Sequence, residues 1–289
     1  MLEIEIILLA LAFIIAVIAV IHDIKTTEIP DYSNYFLIFS AVLLRLIYSS
    51  TANDWSFAFE MLKTFPIIFI LSMLMYKLKQ WGGGDVKLLF GLSITFATYP
   101  SFLLKFFSPK LILLPFPVII FLNVLIIGAA YSFIYAIILA VINMKVFSKK
   151  FISVLKEKRK TQIKIFIAAI LLILISFRTE EKIIPVSLSI FLFIVFYVHV
   201  FIASVEKSCL IKAIPVSRLL EGDWILDDVV YNNKIIHKAK QELTRQQIEK
   251  IKKAKIEKVF VRHGIIFSPA ILIALVLSLI FGNLIYFLF

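Results

Sequence analysis

The sequence predicts an all-α polytopic membrane protein of about 6–8 transmembrane helices, with a small cytoplasmic α+β module near the C-terminus. Three observations carry that prediction. The 289 residues are 61% hydrophobic with mean hydropathy +0.99, whereas soluble domains are about 45–50% apolar. Apolar stretches near the roughly 20 residues needed to cross a bilayer recur along the chain. The basic residues gather in alternate connecting segments instead of spreading evenly.

The elements follow in order. Span one is expected at about 4–21. It ends in the polar loop His22-Asp23-Ile24-Lys25-Thr26-Thr27-Glu28-Ile29-Pro30-Asp31, where Pro30 can open the next helix but not continue the last. Span two covers about 32–46 and is short, with Arg45 able to snorkel outward. The polar link Tyr48–Trp55, uncharged apart from Asp54, leads to span three at about 57–75. Span four runs from about Asp85 to Thr98. Span five, about 111–142, is long enough to tilt. Together 1–143 make a membrane core. A basic cytoplasmic loop follows at 144–164, then an additional transmembrane hairpin at 165–205, with spans at about 165–177 and 183–205. Residues 206–263 form the α+β module. There Ile214–Ile225 and Val229–Ile236 alternate like strands, and Asn232-Asn233 supplies a turn. Thr244 and Gln247 make a capping box before a helix over 246–254, and 258–262 is strand-like again. A final transmembrane helix occupies 264–289, its apolar part about 265–288.

Charge sets the orientation. With the N-terminus outside and every span crossing, the inside segments 22–31, 77–87, 144–164 and 206–263 hold 25 of the 31 Lys and Arg. The outside segments 100–110 and 178–182 hold 4. This bias places the Asp23 loop, the 77–87 loop and the module on the cytoplasmic side. It also accounts for the net charge of +12 without nucleic acid as a partner. The single cysteine, Cys209, excludes a disulfide framework and a CxxC metal site within the chain. No cleavable signal is evident, because the first apolar stretch begins with Glu3 and Glu5 instead of a basic region.

The stretch Trp81-Gly82-Gly83-Gly84-Asp85-Val86-Lys87 lies between two apolar segments. Its glycines permit positive φ and close approach of another chain. Asp85 falls at the start of a helix, where free N–H groups favour a negative charge. Two crossings bring it to the depth of Asp23, which ends span one. Two carboxylates sharing a site titrate as a coupled unit, one holding a proton while the other is charged. Such a pair can activate water and protonate a leaving amine, which is aspartic-protease chemistry and needs neither metal nor organic cofactor. Each residue also has a plainer reading. A lone Asp at a helix start is more often a cap, and a glycine triplet is more often a turn. Lys25 and Lys87 each follow an Asp by two residues. They are either positive-inside residues or charges that bias the pair. Glu28 and Asp31 are either solvated loop charges or attractors of a basic substrate segment.

Gly82-Gly83-Gly84-Asp85 fits the GxGD pattern of intramembrane-type aspartic proteases. With Lys87, and with Asp23-x-Lys25 followed by Ile29-Pro30-Asp31, it resembles the type IV prepilin peptidase family, on the archaeal prepilin and preflagellin (prearchaellin) peptidase branch. The resemblance is strongest over 1–100. More loosely, Glu221-Gly222-Asp223, Leu243-Thr244 and Gly264-Ile265-Ile266-Phe267-Ser268-Pro269-Ala270 are similar to the C-terminal part of longer archaeal members. The resemblance implies a multi-pass protein of the cytoplasmic membrane, with Asp23 and Asp85 as catalytic pair at the cytoplasmic face. It implies removal of a short basic leader from pilin-like or archaellin precursors, with those precursors and membrane lipids as partners. Bacterial members often also methylate the new N-terminus and carry a cysteine-rich loop after the first span. Only ten residues, none of them Cys, stand there in this chain, so no N-methyltransferase activity is expected. The hairpin at 165–205 departs from shorter archaeal relatives. Two other classes remain open. One is an ion- or proton-coupled transporter using Asp23 and Asp85, which predicts further ionisable residues deep in the spans. The other is a non-catalytic membrane scaffold, which predicts that both aspartates are dispensable.

Overall fold

The computed structural model describes residues 2–111, 114–219, 222–231, 234–239, 243–254, 256–262 and 264–287. The expected Asn232-Asn233 turn, Glu221 and the end of the last span at 288 lie outside them. Two compact units result, Met1–Phe133 with Ile265–Phe289, and Ile134–Gly264.

The first unit holds α1 (Leu2–Thr26), α2 (Asp31–Thr51), α3 (Ser56–Lys77), α4 (Gly83–Thr95), most of α5 (Phe116–Ile142) and, after the second unit, α10 (Ser268–Phe281). Small residues set the close packing of α1. Ala12, Ala16 and Ala19 are fully buried along one face, and α1 packs against α2, α4 and α10. On α10, Ala270, Ala274 and Ser278 form a matching buried row at intervals of four. Without a hydrophobic force between helices in lipid, such rows let backbones approach. The 13 residues of α4 are the best-buried helix of the unit: between Asp85 and Thr95 every residue except Lys87 is buried.

α2 grips α4 along its length. Asn34 donates its Nδ2 to the Gly84 carbonyl at 3.2 Å. Leu37 fills the space that a Cβ on Gly91 would occupy, 2.6 Å from the Leu37 Cδ2. Arg45 donates from Nε to the Ile94 carbonyl at 2.8 Å and from Nη2 to the Thr95 carbonyl at 3.0 Å. Its Nη1 reaches the Phe57 carbonyl at 2.7 Å. Arg45 therefore does not snorkel outward; it is 1% exposed. The carbonyls at the C-terminus of α4 have no intrahelical partners, and a guanidinium with five donors satisfies them where water does not reach.

The second unit contains the end of α5, then α6 (Met144–Glu157), α7 (Arg159–Ser176) and α8 (Ile183–Val205). The basic 144–164 segment expected as a loop is helical. Phe151, Val154 and Leu155 on α6 and Phe196 and Val200 on α8 share one apolar cluster, so the lysines occupy the remaining surface of an amphipathic helix. A π-helical turn (Glu206–Leu210) leads into the module. Its three-stranded antiparallel sheet has the order β1 (Ile211–Pro215), β5 (Lys258–Arg262), β2 (Trp224–Ile225). β3 (Val229–Tyr231) pairs with β4 (Lys234–His237) in a bulged hairpin. The strand expected over 214–225 is broken because Val216–Arg218 turn as a 3-10 helix after Pro215. α9 (Arg245–Lys253) starts with the expected capping box. The Thr244 hydroxyl accepts from the Gln247 N–H, and the Gln247 Oε1 accepts from the Thr244 N–H. Ile248 and Ile251 of α9 pack on Val259 and Val261 of β5.

Among the described residues, five helices are long and apolar enough to cross a membrane: α1, α2, α3, α5 and α8 with its extension to Leu210. α4 and α10 are apolar but shorter. The chain is a polytopic helical membrane protein with a small α+β module.

Candidate active site

α1 stays helical through Thr26, so Asp23 sits within the helix and not in the loop after it. Asp23 is 7% exposed and Asp85 is 8% exposed. α1 and α4 pack together, with Asp23 in the last turn of the one and Asp85 in the first turn of the other. The structure thus brings the two aspartates into one buried site at the C-terminal end of α1 and the N-terminal end of α4.

Each carboxylate is held by one backbone N–H. Asp85 is the third residue of α4, and its Oδ2 accepts from the Gly82 N–H at 3.1 Å. This is the carboxylate half of a capping box. Asp23 Oδ2 accepts from the Ser268 N–H, the first of α10, at 3.3 Å. The second oxygen of Asp85, Oδ1, is buried with no hydrogen-bond partner among the described residues. Buried polar atoms in folded proteins are nearly all hydrogen-bonded, so this unpaired oxygen calls for an explanation.

The glycines serve differently from the expectation of positive φ. Gly82 is extended, with φ −72°. Among the described residues only Gly222 and Gly282 are glycines of positive φ, and the left-handed residue of this turn is Lys79, with φ 59°. What Gly84 supplies is the absence of a side chain. A Cβ there would fall 2.8 Å from the Cβ of Ile29. The close approach goes to the chain's own first loop. At Gly83 a Cβ would meet only the Tyr76 ring, at 3.8 Å.

The other predicted residues stand around this pair. Lys87 Nζ lies 2.6 Å from Asp31 Oδ1 and 5.6 Å from the Tyr35 ring centroid, so its ammonium is committed to the start of α2. Lys25 and Glu28 are exposed. The Glu28 carbonyl lies 2.9 Å from the His22 Nδ1 and accepts from the Thr26 hydroxyl at 3.2 Å, shaping the turn that carries Ile29.

Sequence reasoning missed four contributors. Asn34 fixes the first turn of α4. Trp81 is buried, with ring centroids 5.4 Å from Phe121 and 5.7 Å from Phe267. Phe267 and Ser268 bring α10 to Asp23. The Ser-Pro pair at 268–269 is a helix-start signal, but nothing in it points to a partner 245 residues away.

Residues 10–141 match the type IV leader peptidase family. Over 113 residues the chain is 34% identical to a preflagellin peptidase of Methanococcus maripaludis, an alignment covering 37% of this chain and 47% of that protein. The chain thus spans about half the length of the curated relative it matches. No solved structure matches it significantly. The segment that carries both aspartates, residues 10–141, is thus similar to the type IV leader peptidase family.

Proposed function

We propose that the protein is a membrane aspartic endopeptidase. It removes the short basic leader from archaellin or type IV pilin-like precursors at the cytoplasmic face of the membrane. The observation that carries this reading is the placement of two buried carboxylates on packed helices, Asp23 in the last turn of α1 and Asp85 in the first turn of α4. The family match and the preflagellin peptidase relative support the same class of reaction.

In this reading the pair works singly protonated. The ionised aspartate takes a proton from water, whose oxygen attacks the scissile carbonyl. The protonated aspartate donates to the carbonyl oxygen, and the proton taken from water passes to the leaving amine as the tetrahedral intermediate collapses. Gly82 and Ser268 each occupy one oxygen of their aspartate, which leaves the Oδ1 atoms for the reactants. The precursor's apolar helix stays in the bilayer while its basic leader is drawn by Glu28 and Asp31. Lys25 and Lys87 set the local charge around the pair. The positive-inside bias supports a cytoplasmic site. The chemistry calls for no metal or cofactor, and no N-methyltransferase step is included.

The test is incubation of membranes containing the full chain with a panel of precursors bearing basic leaders, read as size shifts. Asp23→Ala, Asp85→Ala and the corresponding Asn variants should each abolish cleavage while the protein remains in the membrane. Normal cleavage by either Ala variant would sink the dyad. Failure of the wild type on every leader would favour a transporter or a scaffold.

A further inference from the structure

The hydrogen bond received by Asp23 comes from beyond the family match. α10 begins 127 residues after position 141, yet its Ser268 N–H donates to the Asp23 carboxylate. The contact is built, not incidental. Ser268 is fully buried, and its hydroxyl has no partner among the described residues. Just before it, Phe267 wedges into α5, where a Cβ on Gly128 would fall 2.5 Å from the ring. The same ring lies 5.7 Å from Trp81, the residue that precedes Gly82. One elbow of two residues therefore touches Asp23 directly and the Asp85 loop through Trp81.

We propose that the Phe267–Ser268 elbow is a positioning element of the peptidase site, with the Ser268 N–H fixing the Asp23 carboxylate and Phe267 setting the height of α10 against Trp81. Ser268 is a positioning residue; it touches the aspartate and not the substrate. A helix N-terminus aimed at a carboxylate favours its charged form and restricts its rotation. An aspartate in the last turns of α1 would otherwise swing about its χ1 and χ2, and small misplacement of a reacting group lowers rate strongly. The inference rests on the peptidase reading and names a part of that site outside its two motif blocks.

The test uses the full chain in membranes or detergent. Ser268→Pro removes the N–H at the first residue of α10 and, by disfavouring the αR backbone of Phe267, disturbs both parts of the elbow. It should lower kcat by about tenfold or more, the scale of one hydrogen bond to a charged group, with KM unchanged. Ser268→Ala, which keeps the N–H, should restore kcat. Wild-type kcat in Ser268→Pro overturns the proposal, as does an equal loss in Ser268→Ala. Should Ser268→Pro fail to fold, Phe267→Ala carries the test. Lower kcat at unchanged KM supports the elbow, and unchanged kcat overturns it. A readout independent of cleavage separates this inference from the peptidase reading. Carbodiimide labelling of Asp23, located by mass spectrometry, should be faster in a folded Ser268→Pro or Phe267→Ala variant than in the wild type. Equal labelling overturns the elbow even if no leader is ever cleaved.

Discussion

Gly84 meets Ile29 at a separation that leaves no room for a side chain: a Cβ on Gly84 would lie 2.8 Å from the Ile29 Cβ. The loop after α1 and the first turn of α4 are therefore locked together one residue before Asp85. An alanine at 84 must push Ile29 or the α4 turn aside, and overpacking of this kind costs about 1–3 kcal/mol. Gly84→Ala should lower cleavage by at least tenfold, by moving Asp85 relative to Asp23. Gly83→Ala should be the milder change, since its new methyl meets only the Tyr76 ring at 3.8 Å. Cleavage rates of the two variants at matched protein level decide it, and equal damage would refute the Gly84–Ile29 contact as the cause.

A second prediction concerns the far end of α4. Arg45 donates to the carbonyls of Phe57, Ile94 and Thr95 from a position 1% exposed. Its guanidinium also lies 4.1 Å from the Phe57 ring centroid. Arg45→Ala removes its hydrogen bonds to those carbonyls, of which Ile94 keeps the Ala97 N–H at 3.4 Å, and removes a buried charge near the buried Glu5. The cost should be about 3 kcal/mol or more. Arg45→Lys should fall between wild type and Ala, because an ammonium cannot reproduce the planar fork. Thermal unfolding in detergent measures the order, and an Ala variant as stable as the wild type would contradict this role.

These residues show how far the sequence reaches. Hydropathy located the apolar segments, because length and composition alone decide whether a segment can span. Counting crossings then paired Asp23 with Asp85, because an even number of crossings returns the chain to the same side. Arg45 was misread because α2 carries apolar residues around much of its circumference, so the sequence does not reveal which face is interior. The 144–164 segment was misread because its lysine density hid an apolar face that only α8 makes visible. Positive φ was the wrong use of the glycines, because the sequence shows the missing side chains but not the neighbour that fills their space. Ser268 acts through its backbone, which no residue type announces.

The Asp31–Lys87 pair supplies a third prediction. It is partly exposed, at 2.6 Å, so its contribution to stability should be within about 0.2–1 kcal/mol and should fall with salt. Its larger effect should be on substrate. Asp31→Lys puts two cations where a basic leader approaches, so KM should rise while kcat changes little. Lys87→Ala frees the Asp31 carboxylate and should lower KM for the most basic leaders at low salt. Raising ionic strength should narrow the differences among the three proteins. A KM that ignores both substitutions would remove Asp31 from leader attraction.

The last prediction sets Gly128 against Phe267. A Cβ on Gly128 would fall 2.5 Å from the Phe267 Cζ and 2.7 Å from its Cε2. The ring cannot yield toward Trp81, whose own ring centroid lies 5.7 Å away. Gly128→Ala should therefore displace the start of α10, loosening the unit by about 1–3 kcal/mol. Phe267→Leu shortens the side chain and should cost under about 1.5 kcal/mol if the neighbours repack. Combined, the two changes should compensate, because the added methyl occupies space that the ring has vacated. A double-mutant cycle on thermal stability should then show a coupling of at least about 0.5 kcal/mol, in the sense that the pair is more stable than the sum of the singles. Simple additivity would mean that the two residues do not share this space. The cleavage rates of the same four proteins should follow the same cycle, since the position of α10 sets where the Ser268 N–H meets Asp23.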